Sequence, residues 1–187
     1  MDHYLEIRLL PDPEFPATTL MNALFSKLHR ALVGLGTEQI GVSFPDVQGR
    51  PRSLGERLRL HGSAAALLML KHSGLLKGMR DHVQLDDPVP VPEVTRHRVV
   101  RRVQSHSSPE RERRRLIARK GLTPTEAMER IPDGRAELLD LPFVVLTSSS
   151  TGQQFRLFID HGPVIDEPQV GVFSTYGLSP TATIPWF

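Results

Sequence analysis

The chain of 187 residues contains no cysteine, which excludes disulfide frameworks, thiolate zinc sites and cysteine nucleophiles. No apolar run approaches the roughly 18 residues a membrane-spanning helix needs, so no membrane partner is expected. The start, MDHYLEIRLLPDPEFP, places acidic residues and prolines where a secretory signal carries a basic and then an apolar stretch. A cytoplasmic protein is therefore expected. Eight histidines are present, but none form His-x-x-x-His on a helix and no carboxylates cluster as in a Mg²⁺ site, so no metal or other cofactor is expected. No serine stands within Gly-x-Ser-x-Gly, which argues against a serine hydrolase. Catalysis, if there is any, falls to His, Ser, Tyr, Lys, Arg or carboxylates.

Charge is small in sum and uneven in place. The net charge is +2, yet Arg96 to Lys120 holds nine arginines and one lysine against Glu110 and Glu112, so this segment carries +8 and the remainder −6. A local field of that sign attracts polyanions, of which nucleic acid is the commonest. Within it Arg111, Arg115 and Arg119 are four apart and share one helical face, with Arg114 adjacent. Guanidinium holds phosphate oxygens bidentately and stacks on bases, as an ammonium cannot. RNA and DNA both offer a groove lined by two phosphate backbones, and the helix alone does not choose between them.

The hydrophobic pattern divides the chain. Tyr4 to Leu10 alternates with the period of a half-buried strand. Thr18 or Thr19 is placed to cap a helix with Leu20, Leu24, Leu28, Ala31 and Leu35 on one stripe, ending near Gly36 and carrying His29 beside the stripe. Strands over Ile40–Phe44 and Leu54–His61, a helix over Ala64–Lys71 and a strand over Met79–Leu85 complete a β-α-β-β-α-β order, the ferredoxin-like pattern. The fold expected is thus α+β, with a ferredoxin-like domain over residues 1–87. Asp86–Pro92, DDPVPVP, reads as an extended linker.

A second α/β domain is expected over residues 95–187. It opens with a basic strand, Thr95–Gln104, then the arginine helix at about 108–120, signalled by Ser107, Pro109 and Glu110 and stopped by Gly121. Thr123-Pro124-Thr125-Glu126 starts a short helix to about Arg130. Strands follow at Phe143–Ser148, Gln154–Ile159 and Val172–Tyr176.

RNA supplies its own nucleophile, a 2′-hydroxyl that attacks the neighbouring phosphate once a base takes its proton. Histidine suits that task, with an ordinary pKa of about 6.5. Composition does not say which histidine, and Thr147–Gly152, TSSSTG, is by pattern an ordinary hydroxyl-rich hairpin loop.

The strings MDHYLEIRL, FPATTLMNALFSKLH, IGVSFPD, LGERLRLH, RRVQSHSSPERERRR, LDLPFVVLTSSSTGQQFRLFI, YGLS and PWF, in this order over nearly the whole chain, resemble the type I-F (Ypest-subtype) CRISPR repeat endoribonucleases. The resemblance implies an RNA-hairpin partner, the CRISPR repeat in pre-crRNA and crRNA. The arginine helix lies along the major groove, and cleavage falls at the 3′ base of the stem. His29 matches the histidine that deprotonates the 2′-hydroxyl, Ser148 the serine that orients that ribose, and Tyr176 a tyrosine that positions the histidine. The implied products carry a 5′-hydroxyl and a 2′,3′-cyclic phosphate. Phe155 matches the aromatic stacked on the terminal base pair, Arg102 and Gln104 the pair that reads the lowest base pairs, and Ser150 shares the hydroxyl cluster. Arg111, Arg114, Arg115 and Arg119 are implied phosphate contacts. The resemblance also implies product retention and assembly with other subunits of the type I-F crRNA-guided surveillance complex.

Two places depart from the family pattern. Ala118 stands where another groove-binding arginine can occur, so that contact is either missing or supplied by Arg111 or Lys120, and Ser179–Pro185, SPTATIP, lacks the glycines of a glycine-rich loop found near this end in broader relatives. Should His29 not be the base, His161, expected on a turn after Ile159, is next. Two competing readings keep the basic helix without the chemistry: a non-catalytic hairpin-binding subunit and a double-stranded DNA-binding regulator.

Overall fold

The computed structural model describes residues 1–47, 53–104, 109–132 and 139–187. It is α+β, with two antiparallel sheets and helices. The first is ferredoxin-like. Strand β1 (His3–Leu9) is followed by helix α1 (Ala17–Leu35), β2 (Gly41–Ser43), β3 (Arg57–Gly62), α2 (Ala64–His72) and β4 (Val83–Leu85), and the strands lie in the order β2-β3-β1-β4. Leu5, Ile7 and Leu9 of β1 are buried as their alternation predicts. The other face is covered at one point as well: buried Glu6 accepts from Arg59, whose Nη1 also donates to the Phe187 carbonyl at 2.8 Å, with its guanidinium 3.9 Å from the Phe187 ring centroid.

Local differences from the expected elements have identifiable causes. Pro16, not Thr18 or Thr19, precedes the first turn of α1, and its carbonyl accepts from Thr19 and Leu20; its fixed φ starts the helix without a side-chain cap. The strand expected from Met79 begins only at Val83, because Arg80–His82 forms a 3-10 turn in which His82 Nδ1 meets Asp12 Oδ2 at 2.8 Å. In the expected linker, Val89–Pro90 forms β5, which pairs with β1 at Tyr4 and His3.

The second sheet runs β7-β8-β6-β9, from β6 (Arg96–Val103), β7 (Phe143–Thr147), β8 (Gln154–Ile165) and β9 (Thr183–Trp186). The strand expected at Val172–Tyr176 does not form: Phe173 N–H goes to the Glu38 carbonyl and Ser174 N–H to that of Leu178. The sheet takes Thr183–Trp186 instead, as an edge strand on β6. Pro185 hides this strand from pattern reading, yet proline is tolerated at a sheet edge.

By contacts the chain groups into two compact units, residues 1–103 with 141–187 and residues 104–140. In the first, one core runs from Leu5 and Leu28 through Val144, Leu157 and Ile184. Helix α1 contacts β1 and α2 and also β7, so it touches both sheets. The second unit holds α3 (Pro109–Lys120) and α4 (Pro124–Arg130), which contact one another, and Ala127 and Ile131 are buried. Thr123 and Glu126 form the capping box their spacing predicts. Ser107, the expected cap of α3, lies outside the described residues. Among the described residues no helix is long and apolar enough to cross a membrane.

One buried histidine, His61, and one half-buried histidine, His161, make the fold acid-sensitive. Burial, with Arg59 nearby, pushes His61 down to about 3, and burial beside Arg98 pushes His161 down to about 4. Both are neutral in the folded chain near pH 7, while in the unfolded chain they take up protons below about 6.5. Their contribution is complete above that pH and is lost as pH falls towards 4. Each costs up to about 1.4 kcal/mol per pH unit in this window. Urea melts should therefore show unfolding free energy dropping by roughly 1–3 kcal/mol per unit between pH 6.5 and 4.5; a flat profile there would contradict the lowering of both pKa values.

Candidate active site

The expected site residues of the first unit fall on four segments: α1, the turn of residues 174–177, β6 and the β7–β8 hairpin. His29 lies half-buried two turns from the end of α1, whose buried face (Leu24, Phe25, Leu28, Leu32) holds the helix down. Against it stands the turn of residues 174–177, closed by the Gly177 N–H on the Ser174 carbonyl at 2.7 Å and tied to β2 by the Val42 N–H on the Gly177 carbonyl at 2.9 Å. Gly177 has φ +68, and a Cβ there would lie 2.5 Å from Val42 Cγ1, so the close approach needs glycine. The turn presents Thr175 and Tyr176 to the histidine. His29 Nδ1 is 2.9 Å from the Thr175 carbonyl oxygen, and the Tyr176 ring stacks on the imidazole at 4.1 Å between centroids and 10° between planes. The Phe25 ring also lies parallel to Tyr176, at 6.4 Å between centroids.

A carbonyl oxygen only accepts, so this hydrogen bond requires the proton on Nδ1. In the neutral ring that leaves Nε2 as the lone-pair nitrogen, and no described residue hydrogen-bonds it. The imidazole is thus held in one plane and one tautomer, with its lone pair on Nε2.

From Tyr176 the site continues to the second sheet. The exposed Arg102 guanidinium is 5.8 Å from the Tyr176 ring and 5.9 Å from the Phe155 ring. Phe155 pairs in register with Leu146, and the next pair, Thr147 with Gln154, ends the ladder at the hydroxyl-rich turn. There Ser148 Oγ lies 3.1 Å from Ser150 Oγ and accepts from Thr151 N–H at 3.3 Å. His29, Tyr176, Arg102 and Phe155 therefore form a continuous chain of contacts, and Ser148 and Ser150 sit on the turn that leads into the strand of Phe155.

The other expected residues belong to the second unit. Gln104 is exposed at its start. On α3, Arg114, Arg115 and Arg119 are exposed and form no ion pair among the described residues, and Ala118 is exposed between them. The Arg111 backbone is helical; its side chain lies outside the description. His161 is not on a turn. Strand β8 continues to Ile165, so His161 pairs opposite Val100 beneath Phe44 and Trp186, where its low pKa makes it a poor base near neutrality.

Sequence reading passed over Asn22. Its Oδ1 accepts the Val145 N–H of edge strand β7 at 2.9 Å, tying the helix of His29 to the strand that leads into Ser148. Seven residues, two turns, separate Asn22 from His29, which puts both on one helical face. Only an acceptor is used, so Asn22→Asp should keep near wild-type turnover. Asn22→Ala should slow turnover about tenfold at unchanged hairpin affinity, with about 1 kcal/mol of stability lost. Single-turnover rates and affinities for the pair check this; equal behaviour of the two variants would contradict it.

Comparison with known proteins fits a class of nuclease to this geometry. Residues 4–187 match the family described as CRISPR-associated protein (Cas_Csy4). Two relatives align over all 187 residues of both chains, each named CRISPR-associated endonuclease Cas6/Csy4: one from Pseudomonas aeruginosa (strain UCBPP-PA14) at 56 % identity and one from Escherichia coli (strain UTI89 / UPEC) at 54 %. The chain belongs to the Cas_Csy4 family of CRISPR-associated proteins.

Proposed function

We propose that this chain is a cytoplasmic, metal-independent endoribonuclease that binds the CRISPR repeat hairpin of pre-crRNA and cuts it at the 3′ base of the stem. His29 Nε2 takes the proton of the 2′-hydroxyl upstream of the cut. The freed oxygen bonds to the adjacent phosphorus as the bond to the 5′-oxygen breaks, and that oxygen leaves with a proton from solvent water. The upstream fragment then ends in a 2′,3′-cyclic phosphate and the downstream one in a 5′-hydroxyl. The observation that carries this reading is the Nδ1 donation to the Thr175 carbonyl, because it leaves Nε2 as the base. Tyr176 keeps the ring in plane, and Ser148, with Ser150 beside it, orients the ribose.

The remaining roles follow from the chemistry of each side chain. Arg111, Arg114, Arg115 and Arg119 hold phosphates, which positions the hairpin without reading it. Arg102 and Gln104 read the lowest base pairs. A continuous A-form major groove is too deep and narrow for such readout, so these pairs are reached from the open end of the stem, where Phe155 supplies an aromatic face. The product stays bound as crRNA, in company with other subunits of a type I-F surveillance complex.

The test is a cleavage gel with the host repeat RNA in EDTA. We expect full cutting, because the nucleophile belongs to the substrate. Activity lost on chelation and restored by Mg²⁺ would assign the chemistry to a metal. Binding without any cutting would leave a hairpin-binding subunit, and equal binding of duplex DNA a DNA-binding regulator.

A further inference from the structure

A helix that is apolar all round normally lies inside a protein, and α2 is apolar from Ala64 through Leu70. Only Leu67 and Leu70 of it are buried. Ala65, Leu68, Met69 and His72, spaced i, i+3, i+4 and i+7, make one exposed stripe, in which Leu68 is 41 % and Met69 58 % exposed. At the C-terminal end of α2 the stripe runs into an open pocket of about 370 Å³ walled by Lys71, His72, Lys77 and Arg80 with Leu76 and Leu85.

The cations of this pocket are only partly explained by the fold. Lys71 pairs with Asp87, and Lys71 and His72 stand where a helix C-terminus favours positive charge. Lys77 and Arg80 lie beyond the helix and make no ion pair among the described residues. Lys27 brings a further ammonium, donating to the Lys77 carbonyl at 2.6 Å. Apart from Asp87 on Lys71, these like charges have no carboxylate partner among the described residues; such a gathering is unfavourable in the free protein, and a carboxylate placed among them relieves the repulsion.

We infer that the α2 stripe and this pocket form a docking surface for a protein segment that carries apolar residues three or four apart followed by at least one carboxylate. Charge and apolar area each select it. An amphipathic helix lays its apolar side on Leu68 and Met69 as in helix-in-groove recognition, and its acidic end enters the pocket. Single-stranded RNA gains little from the stripe, whose one ring is the His72 imidazole at its end. A second copy of this surface brings further cations, and two large apolar side chains are too few to hold a membrane surface. The inference does not rest on the cleavage reading.

The experiment places a photo-crosslinking phenylalanine analogue at Leu68, and separately at Met69, in the full chain expressed in its native host. The expected result is a protein adduct whose mapped peptide has the stated spacing and an Asp or Glu. Its yield should fall about tenfold or more in a Lys77→Glu/Arg80→Glu background, with hairpin cleavage and thermal melting unchanged. Adducts only to RNA, lipid or the chain itself, no adduct at either position, a mapped peptide without a carboxylate, or a yield indifferent to charge reversal would overturn it.

Discussion

His29→Ala should lower the single-turnover cleavage rate by about two to four orders of magnitude, the usual span for losing a positioned base, while affinity for the repeat hairpin stays near the wild-type value. The two quantities separate because the imidazole is held by the chain itself, through the Thr175 carbonyl and the Tyr176 ring. The proposed phosphate contacts are other residues, the arginines of α3. Ser148→Ala should behave similarly, since a hydroxyl that orients the ribose matters more to the attack than to the bound state. Rates and affinities measured on the same hairpin decide it. A wild-type rate in His29→Ala would remove the base from this ring, and His161 would be a poor replacement, its pKa pushed down to about 4 by burial. A variant that loses affinity as much as rate would make His29 a binding residue.

Much of this architecture is legible wherever it is local. The alternation of β1, the period of α1 and the Thr123–Glu126 capping box are dictated by neighbours a few residues apart. Interactions that span the chain are less visible. The edge strand Thr183–Trp186 contains a proline and is stabilised by pairing with β6, nearly ninety residues earlier; its own pattern does not announce it. His161 was expected on a turn because nothing after Ile159 signals that β8 continues, and partners on β6 extend the strand. The candidate site shows the same division. A conspicuous histidine and serine run can be found by eye, but their roles came from resemblance to a family. The acceptor that fixes the His29 tautomer is a backbone carbonyl, which any residue at 175 would supply and no side-chain pattern reveals. Asn22 was overlooked because a polar residue beside an apolar stripe reads as helix surface until β7 is laid against it.

The central claim is that the substrate supplies the nucleophile. A repeat hairpin carrying a single 2′-deoxy nucleotide immediately upstream of the cut keeps every phosphate and base that the protein is proposed to hold, and lacks only the oxygen that attacks. Its affinity should remain within about twofold of the all-ribose hairpin, because one hydroxyl is a small share of a contact dominated by phosphates. Its cleavage should be undetectable, because no other group in the proposed site replaces the missing oxygen, and the loss should exceed that of His29→Ala, which removes the base but leaves the nucleophile. The decisive measurement is therefore cleavage of this analogue by saturating enzyme over many half-lives of the ribose substrate: intact RNA bound at near-normal affinity is the predicted result, and any product cut at the normal position would contradict the mechanism.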